Sequence, residues 1–119
     1  KVPPPTPEEI KTYYETHKKE FQVPMQYRFS QIVVPTLKVA EQILQKLKAG
    51  GDFAKLAKQY SISPEGKQGG DLGYWREDRL PEEFLPVRQM KIGEYSDMIH
   101  SPYGYHLLML TGVRDARIL

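Results

Sequence analysis

The run Gly69-Gly70-Asp71-Leu72-Gly73-Tyr74-Trp75 constrains this chain more than any other stretch, because three glycines fall within five positions. Glycine takes positive φ without a steric penalty, so the backbone turns sharply here and leaves Leu72 and Trp75 as apolar surfaces at the mouth of the bend. The surrounding segment, Ser61 to Trp75, is rich in Gly, Ser and Pro and has almost no apolar periodicity. It reads as a long ordered loop, with a short strand near Leu72 to Trp75, and long ordered loops usually carry function.

The remaining elements form a scaffold for this bend. Met25 to Val34 carries Tyr27, Phe29, Ile32, Val33 and Val34, aromatic and β-branched residues suited to a half-buried strand, and Pro35 stops it. From Thr36 to Ala49, Leu37, Ala40, Ile43, Leu44 and Leu47 fall at helical spacing, and Gly50-Gly51 ends the run. Asp52 caps a second helix with Phe53, Leu56, Ala57 and Tyr60 on one face. Further on, Pro81-Glu82-Glu83-Phe84 begins a short helix and Lys91 to Glu94 reads as a turn. Asp97 to His100 and Gly104 to Leu110 then form a hairpin through Pro102-Tyr103. This order predicts an α+β domain, a small antiparallel sheet of about four strands with helices on one side.

Upstream, Thr6-Pro7-Glu8-Glu9 is a helix start, and the stripe Ile10, Tyr13, Tyr14 predicts a helical arm over about Pro7 to Lys19, outside the main core. The opening Lys1-Val2-Pro3-Pro4-Pro5 reads as a stiff linker, which suggests a flanking domain before it. The predicted division is residues 1–24 as linker and arm, 25–113 as the domain, and 114–119 as a tail.

Several function classes are excluded by composition. At 119 residues the chain fits one core and needs no metal or disulfide to stay folded. Without cysteine there is no thiol catalysis, thiolate metal site or redox sensing, and the absence tilts the compartment outward. Seventeen basic and fifteen acidic residues are mixed along the chain, too balanced for nucleic-acid binding. The longest apolar runs, Ile32 to Val34 and Leu107 to Leu110, are far short of the ~20 residues a membrane helix requires, so no membrane insertion is expected. His17 and His100 lack partners at ligand spacing, so no metal is expected. The glycine run is not followed by Gly-Lys-Ser/Thr, which argues against a phosphate cradle, and no Gly-x-Ser-x-Gly elbow marks a serine hydrolase.

Five stretches carry a resemblance. They are Arg28 to Val34, Lys48 to Ala57, Gly70-Asp71-Leu72-Gly73, Lys91 to Ser96, and Tyr103-Gly104-Tyr105-His106. In this order and spacing, over about Met25 to Thr111, the chain resembles the parvulin-type peptidyl-prolyl isomerases, whose fold is FKBP-like. The arm is similar to the segment leading into such domains in multi-domain bacterial foldases of the SurA and PrsA kind. The resemblance implies catalysis of rotation about the bond before proline, on unfolded or proline-containing polypeptide clients, outside the cytoplasmic membrane. Uncatalysed rotation faces a barrier of roughly 18–20 kcal/mol because amide resonance is broken in the twisted state. No bond is cleaved, so no cofactor is required.

Carried over residue by residue, the resemblance implies that Leu72, Leu80 and Phe84 hold the proline ring with Trp75 nearby, and that Ser101 and Tyr103 line the rim. The polar positions fall on His106, Gln31 and Ser63. Here the chain departs from the family, which has a histidine where Gln31 stands and an Asp or Cys where Ser63 stands. Gln31 can imitate one imidazole tautomer but cannot titrate, and Ser63 supplies no negative charge, which implies a weakened catalyst. Leu72 can equally be a core residue, and His106 can serve simply to tie strands together. The Val34-Pro35-Thr36-Leu37 junction lacks the arginine-rich insertion of phosphate-dependent relatives, so no phosphate preference is expected. The alternative reading is a polypeptide-binding chaperone module of the same fold with an eroded polar cluster.

Overall fold

A computed structural model describes residues 23–116. The expected arm over residues 7–19, with His17, and the end of the tail lie outside the described residues. Four strands form one antiparallel sheet: β1 (Gln26–Val34), β2 (Asp71–Arg76), β3 (Ile99–Ser101) and β4 (Gly104–Arg114), in the order β2-β1-β4-β3. The central position of β1 explains its sequence. Covered on both faces, its last six residues are all buried, which requires the continuous apolar run Ile32-Val33-Val34.

Helix α1 (Leu37–Lys48) and helix α2 (Phe53–Tyr60) lie on one face. The Thr36 hydroxyl caps α1 by accepting from the Val39 N–H at 3.3 Å, and the Asp52 carboxylate caps α2 by accepting from the Lys55 N–H at 3.1 Å. At the end of α1, the Gly51 N–H donates to the Lys46 carbonyl and the Gly50 N–H to the Leu47 carbonyl. This double closure needs the left-handed residue that Gly50 supplies at φ +92°. Ala40, Ile43 and Leu47 of α1 and Phe53, Leu56 and Ala57 of α2 are buried against Ile32, Val34 and Leu107 of the sheet. The two helices therefore share one side, as their periodicity predicts.

The opposite face is covered as well. A 3-10 segment, Glu82–Gln89, buries Phe84 and Val87 against Met25, Tyr27, Phe29, Leu108 and Leu110. Pro86 inside this segment removes a backbone donor, which keeps it from forming a regular α-helix. Three expectations are refined. Within Ser61 to Trp75, Pro64–Gln68 forms a 3-10 turn, and the expected short strand near Leu72 to Trp75 is β2, which runs from Asp71 to Arg76. The first hairpin strand is Ile99–Ser101 rather than Asp97 to His100. β4 continues to Arg114, because its pairing with β1 resumes beyond an irregularity at Arg28/Phe29.

Candidate functional site

Strand register assembles the site on the face away from α1 and α2. Directly paired residues of antiparallel strands project to the same side, and β1 pairs with β4 as Phe29↔Leu110, Gln31↔Leu108 and Val33↔His106. Gln31 and His106 thus become diagonal neighbours, and the Gln31 amide oxygen lies 3.0 Å from His106 Nδ1. The other ring nitrogen, Nε2, lies 2.5 Å from the Ser101 hydroxyl at the end of β3. Ser101 in turn accepts from the Tyr103 N–H at 3.1 Å, which fixes the hairpin turn beneath the ring. Gln31 is 8% and His106 3% exposed, so this polar pair sits inside the fold.

Phe84 supplies the apolar wall. Its N–H donates to the Pro81 carbonyl at 3.0 Å, starting the 3-10 segment that brings the ring to the sheet. The ring centroid lies 5.0 Å from Phe29, 6.0 Å from Trp75 and 6.4 Å from His106, tilted or edge-on to each, as aromatic quadrupoles favour. A cavity of about 400 Å³ opens between these groups. Gln31, Val33, Ser63, Glu65, Phe84 and His106 bound it, with Ile62, Pro64, Glu83 and Tyr103 completing its walls. Ile62 and Tyr103, 58% and 75% exposed, leave apolar surface at the mouth. A recess of about 500 Å³ around Met25 and Met90 is lined by none of the residues expected at the site.

The glycine bend pins the two halves of the site together. Gly69 and Gly70 both take left-handed φ, +81° and +84°. The Gly70 N–H donates to the Glu65 carbonyl, and the Gly70 carbonyl accepts from the Gln31 N–H, each at 2.9 Å. The bend therefore ties the 3-10 turn of residues 64–68 directly to the backbone of Gln31.

Five of the expected site residues, Gln31, Ser63, Phe84, Tyr103 and His106, meet at this cavity, and Ser101 bonds to His106. Leu72, Trp75 and Leu80 are not among its walls. They are half-buried against the cluster of Phe29 and Phe84 that backs it, with the Trp75 indole N–H donating to the Leu72 carbonyl at 3.0 Å. The hydroxyl of Ser63 bonds to that of Ser61 at 2.7 Å rather than to Gln31 or His106.

The residue that reaches the polar pair is Glu65, whose carboxylate accepts from the Gln31 amide nitrogen at 2.5 Å. Although Ser63 brings no charge, the wall therefore carries two carboxylates, Glu65 and Glu83. Neither these residues nor Ile62 stand out in the sequence, since a lone acid in a Ser-Pro-Glu turn looks like any solvated one. Burial holds the His106 imidazole below the ordinary histidine value, with the charges of Glu83 and Glu65 opposing the shift.

The cavity thus combines an aromatic wall with a buried histidine–amide pair. The sequence matches the PPIC-type PPIASE domain over residues 5–119, and the chain belongs to this family of peptidyl-prolyl isomerase domains, the parvulins. Foldase protein PrsA of Geobacillus sp. (strain WCH70) is 41% identical over 114 residues, which cover 94% of this chain and 39% of that protein. Chaperone SurA of Hydrogenovibrio crunogenus is 46% identical over 77 residues, covering 64% of this chain and 17% of its own length. The crystal structure of the peptidylprolyl isomerase PrsA from Bacillus anthracis matches with a TM-score of 0.74 at 35% identity, over 91% of this chain and 51% of that one. This chain thus spans well under half the length of both curated relatives. The four-stranded sheet and its helices are the parvulin fold of that solved structure.

Proposed function

We propose that this isomerase domain acts on exposed X-Pro segments of unfolded polypeptides, within a longer foldase outside the cytoplasmic membrane, and that the cavity beside His106 is its active site. Phe84 receives the proline ring, and Leu72, Trp75 and Leu80 hold Phe84 in place from behind. Tyr103 and Ser101 shape the rim. His106 and Gln31 orient the imide, and Ser63 contributes a polar edge.

The chemistry follows from what the twisted imide gains. Losing amide resonance returns a lone pair to the nitrogen and removes negative charge from the carbonyl oxygen. A donor near the nitrogen and an apolar surface near the carbonyl therefore favour the twisted state over the planar one, and only such differential binding accelerates the reaction. The supporting observation is the juxtaposition of the Phe84 ring with the Gln31–His106 pair on one cavity of proline-compatible size. Those walls contain two carboxylates and no Lys or Arg, which supports clients without phosphate.

The test is isomerisation of a short Ala-Leu-Pro-Phe peptide by wild type, Phe84→Ala and His106→Ala. Removing the aromatic wall forfeits roughly 2 kcal/mol of apolar contact, so kcat/KM should fall about 30-fold for Phe84→Ala. Peptide binding with no rate enhancement in the wild type would favour the chaperone reading instead.

A further inference from the structure

Glu65, Gln31, His106 and Ser101 form one hydrogen-bonded row across the cavity wall, and its direction has a single cause. Glu65 Oε1 meets Gln31 Nε2 at 2.5 Å, Gln31 Oε1 meets His106 Nδ1 at 3.0 Å, and His106 Nε2 meets the Ser101 hydroxyl at 2.5 Å. A neutral imidazole donates from one nitrogen and accepts at the other, while an amide donates from nitrogen and accepts at oxygen. The last three members therefore have two self-consistent arrangements. In one, Gln31 turns its NH2 toward Nδ1 and Nε2–H donates to Ser101. In the other, the Gln31 oxygen accepts from Nδ1–H and the Ser101 hydroxyl donates to Nε2. The Tyr103 N–H on Ser101 is compatible with both. An ionised carboxylate accepts only, so Glu65 admits the second arrangement alone.

We propose that Glu65 is a positioning residue that, through Gln31, holds His106 as the Nδ1–H tautomer and makes the second amide hydrogen of Gln31 the donor this wall offers to a bound imide. Glu65 is itself held in register, because its carbonyl accepts from Gly70 N–H and the Gly70 carbonyl accepts from Gln31 N–H. Burial of Gln31 and His106 keeps bulk water from scrambling the row. An amide hydrogen near the imide nitrogen gains strength as the lone pair returns in the twisted state, whereas the reversed amide would present an oxygen that repels that lone pair. The chain thus recovers, through a glutamate outside the expected polar set, an order that Gln31 alone does not impose. This catalytic consequence rests on the cavity being the active site; the tautomer assignment does not.

The test pairs imidazole nitrogen NMR with peptide-isomerisation kinetics on wild type, Glu65→Ala, Glu65→Gln and His106→Ala, with thermal unfolding to verify that each is folded. In the wild type His106 should show a protonated Nδ1 and a bare Nε2. In Glu65→Ala the ring should move toward the Nε2–H form, with kcat about tenfold lower and KM within about twofold. Glu65→Gln keeps an acceptor but adds a donor, so it should fall between the two. A wild-type ring found as Nε2–H, or ring shifts in Glu65→Ala identical to wild type, would overturn the proposal regardless of rates. A tautomer change with unaltered kcat would overturn its catalytic half when His106→Ala is slow. If His106→Ala is equally unaltered, the active-site assignment is what fails, and the catalytic half falls with it.

Discussion

Replacing Gly70 and Gly73 with alanine, one at a time, separates backbone strain from steric approach at the bend. Both take left-handed φ, +84° and +73°. A Cβ at Gly73 would meet nothing within 4 Å, whereas one at Gly70 would lie 2.3 Å from the Gln31 carbonyl oxygen and 3.2 Å from its carbon. The left-handed conformation costs an L-residue roughly 1–2 kcal/mol, so Gly73→Ala should destabilise by about 1 kcal/mol. Gly70→Ala carries that cost plus displacement of β1 by about an ångström in a packed interior, a further ~1–3 kcal/mol. The total of about 2–5 kcal/mol is a large part of the ~5–15 kcal/mol that a small domain commands. Urea titration of both variants reads the difference directly. Gly70→Ala should also slow isomerisation in the fraction that stays folded, because the displaced backbone is that of Gln31. Unfolding free energies for the two variants within ~0.5 kcal/mol of each other would refute the close approach at Gly70.

Other outcomes follow from the same geometry. The folded-state pKa of His106 is depressed by burial, so as pH falls below about 6.5 the unfolded chain takes up a proton that the folded one resists. Its contribution is complete above about 6.5 and is lost as pH drops toward the folded value, so wild type should lose more stability than His106→Gln between about pH 7 and pH 5 in urea titrations. The Arg28–Asp71 pair is bidentate, at 3.1 and 2.7 Å, and it lowers the Asp71 pKa. Both side chains are substantially exposed, so Arg28→Ala should cost under ~1 kcal/mol by thermal unfolding. A phosphoserine-proline peptide meets Glu65 and Glu83 in the cavity, and its kcat/KM should be at least about fivefold lower than that of the plain serine peptide.

The sequence made legible the elements whose cause is local. Thr36, Asp52 and Gly50-Gly51 bound α1 and α2 within a residue or so, because caps and 3.6-residue periodicity are chemical signals carried by neighbours. Strand β1 was equally plain, since only a central strand requires Ile32-Val33-Val34 to be buried together. β2 is legible as a short strand near Leu72 to Trp75, and pairing with β1 extends it by a residue at each end although Asp71 and Gly73 disfavour strands. β4 was cut short because Thr111 and Gly112 interrupt its apolar pattern while its ladder with β1 continues. In the site, Phe84 and His106 are singled out by the family resemblance of the motifs around them. Glu65 could not, because its meaning arises only when it meets Gln31 across thirty-four positions. The packing of Leu72, Trp75 and Leu80 against the cluster of Phe29 and Phe84 likewise depends on the 3-10 segment lying across the sheet.

The most direct measurement is proline exchange NMR of an Ala-Leu-Pro-Phe peptide with the labelled chain, following peptide cis–trans exchange and protein resonances in one titration. The account predicts accelerated exchange together with shifts confined to the Gln31 side-chain amide, the Phe84 and His106 rings, and Tyr103 at the mouth. Accelerated exchange with those four groups unmoved, and shifts gathered instead around Met25 and Met90, would contradict it.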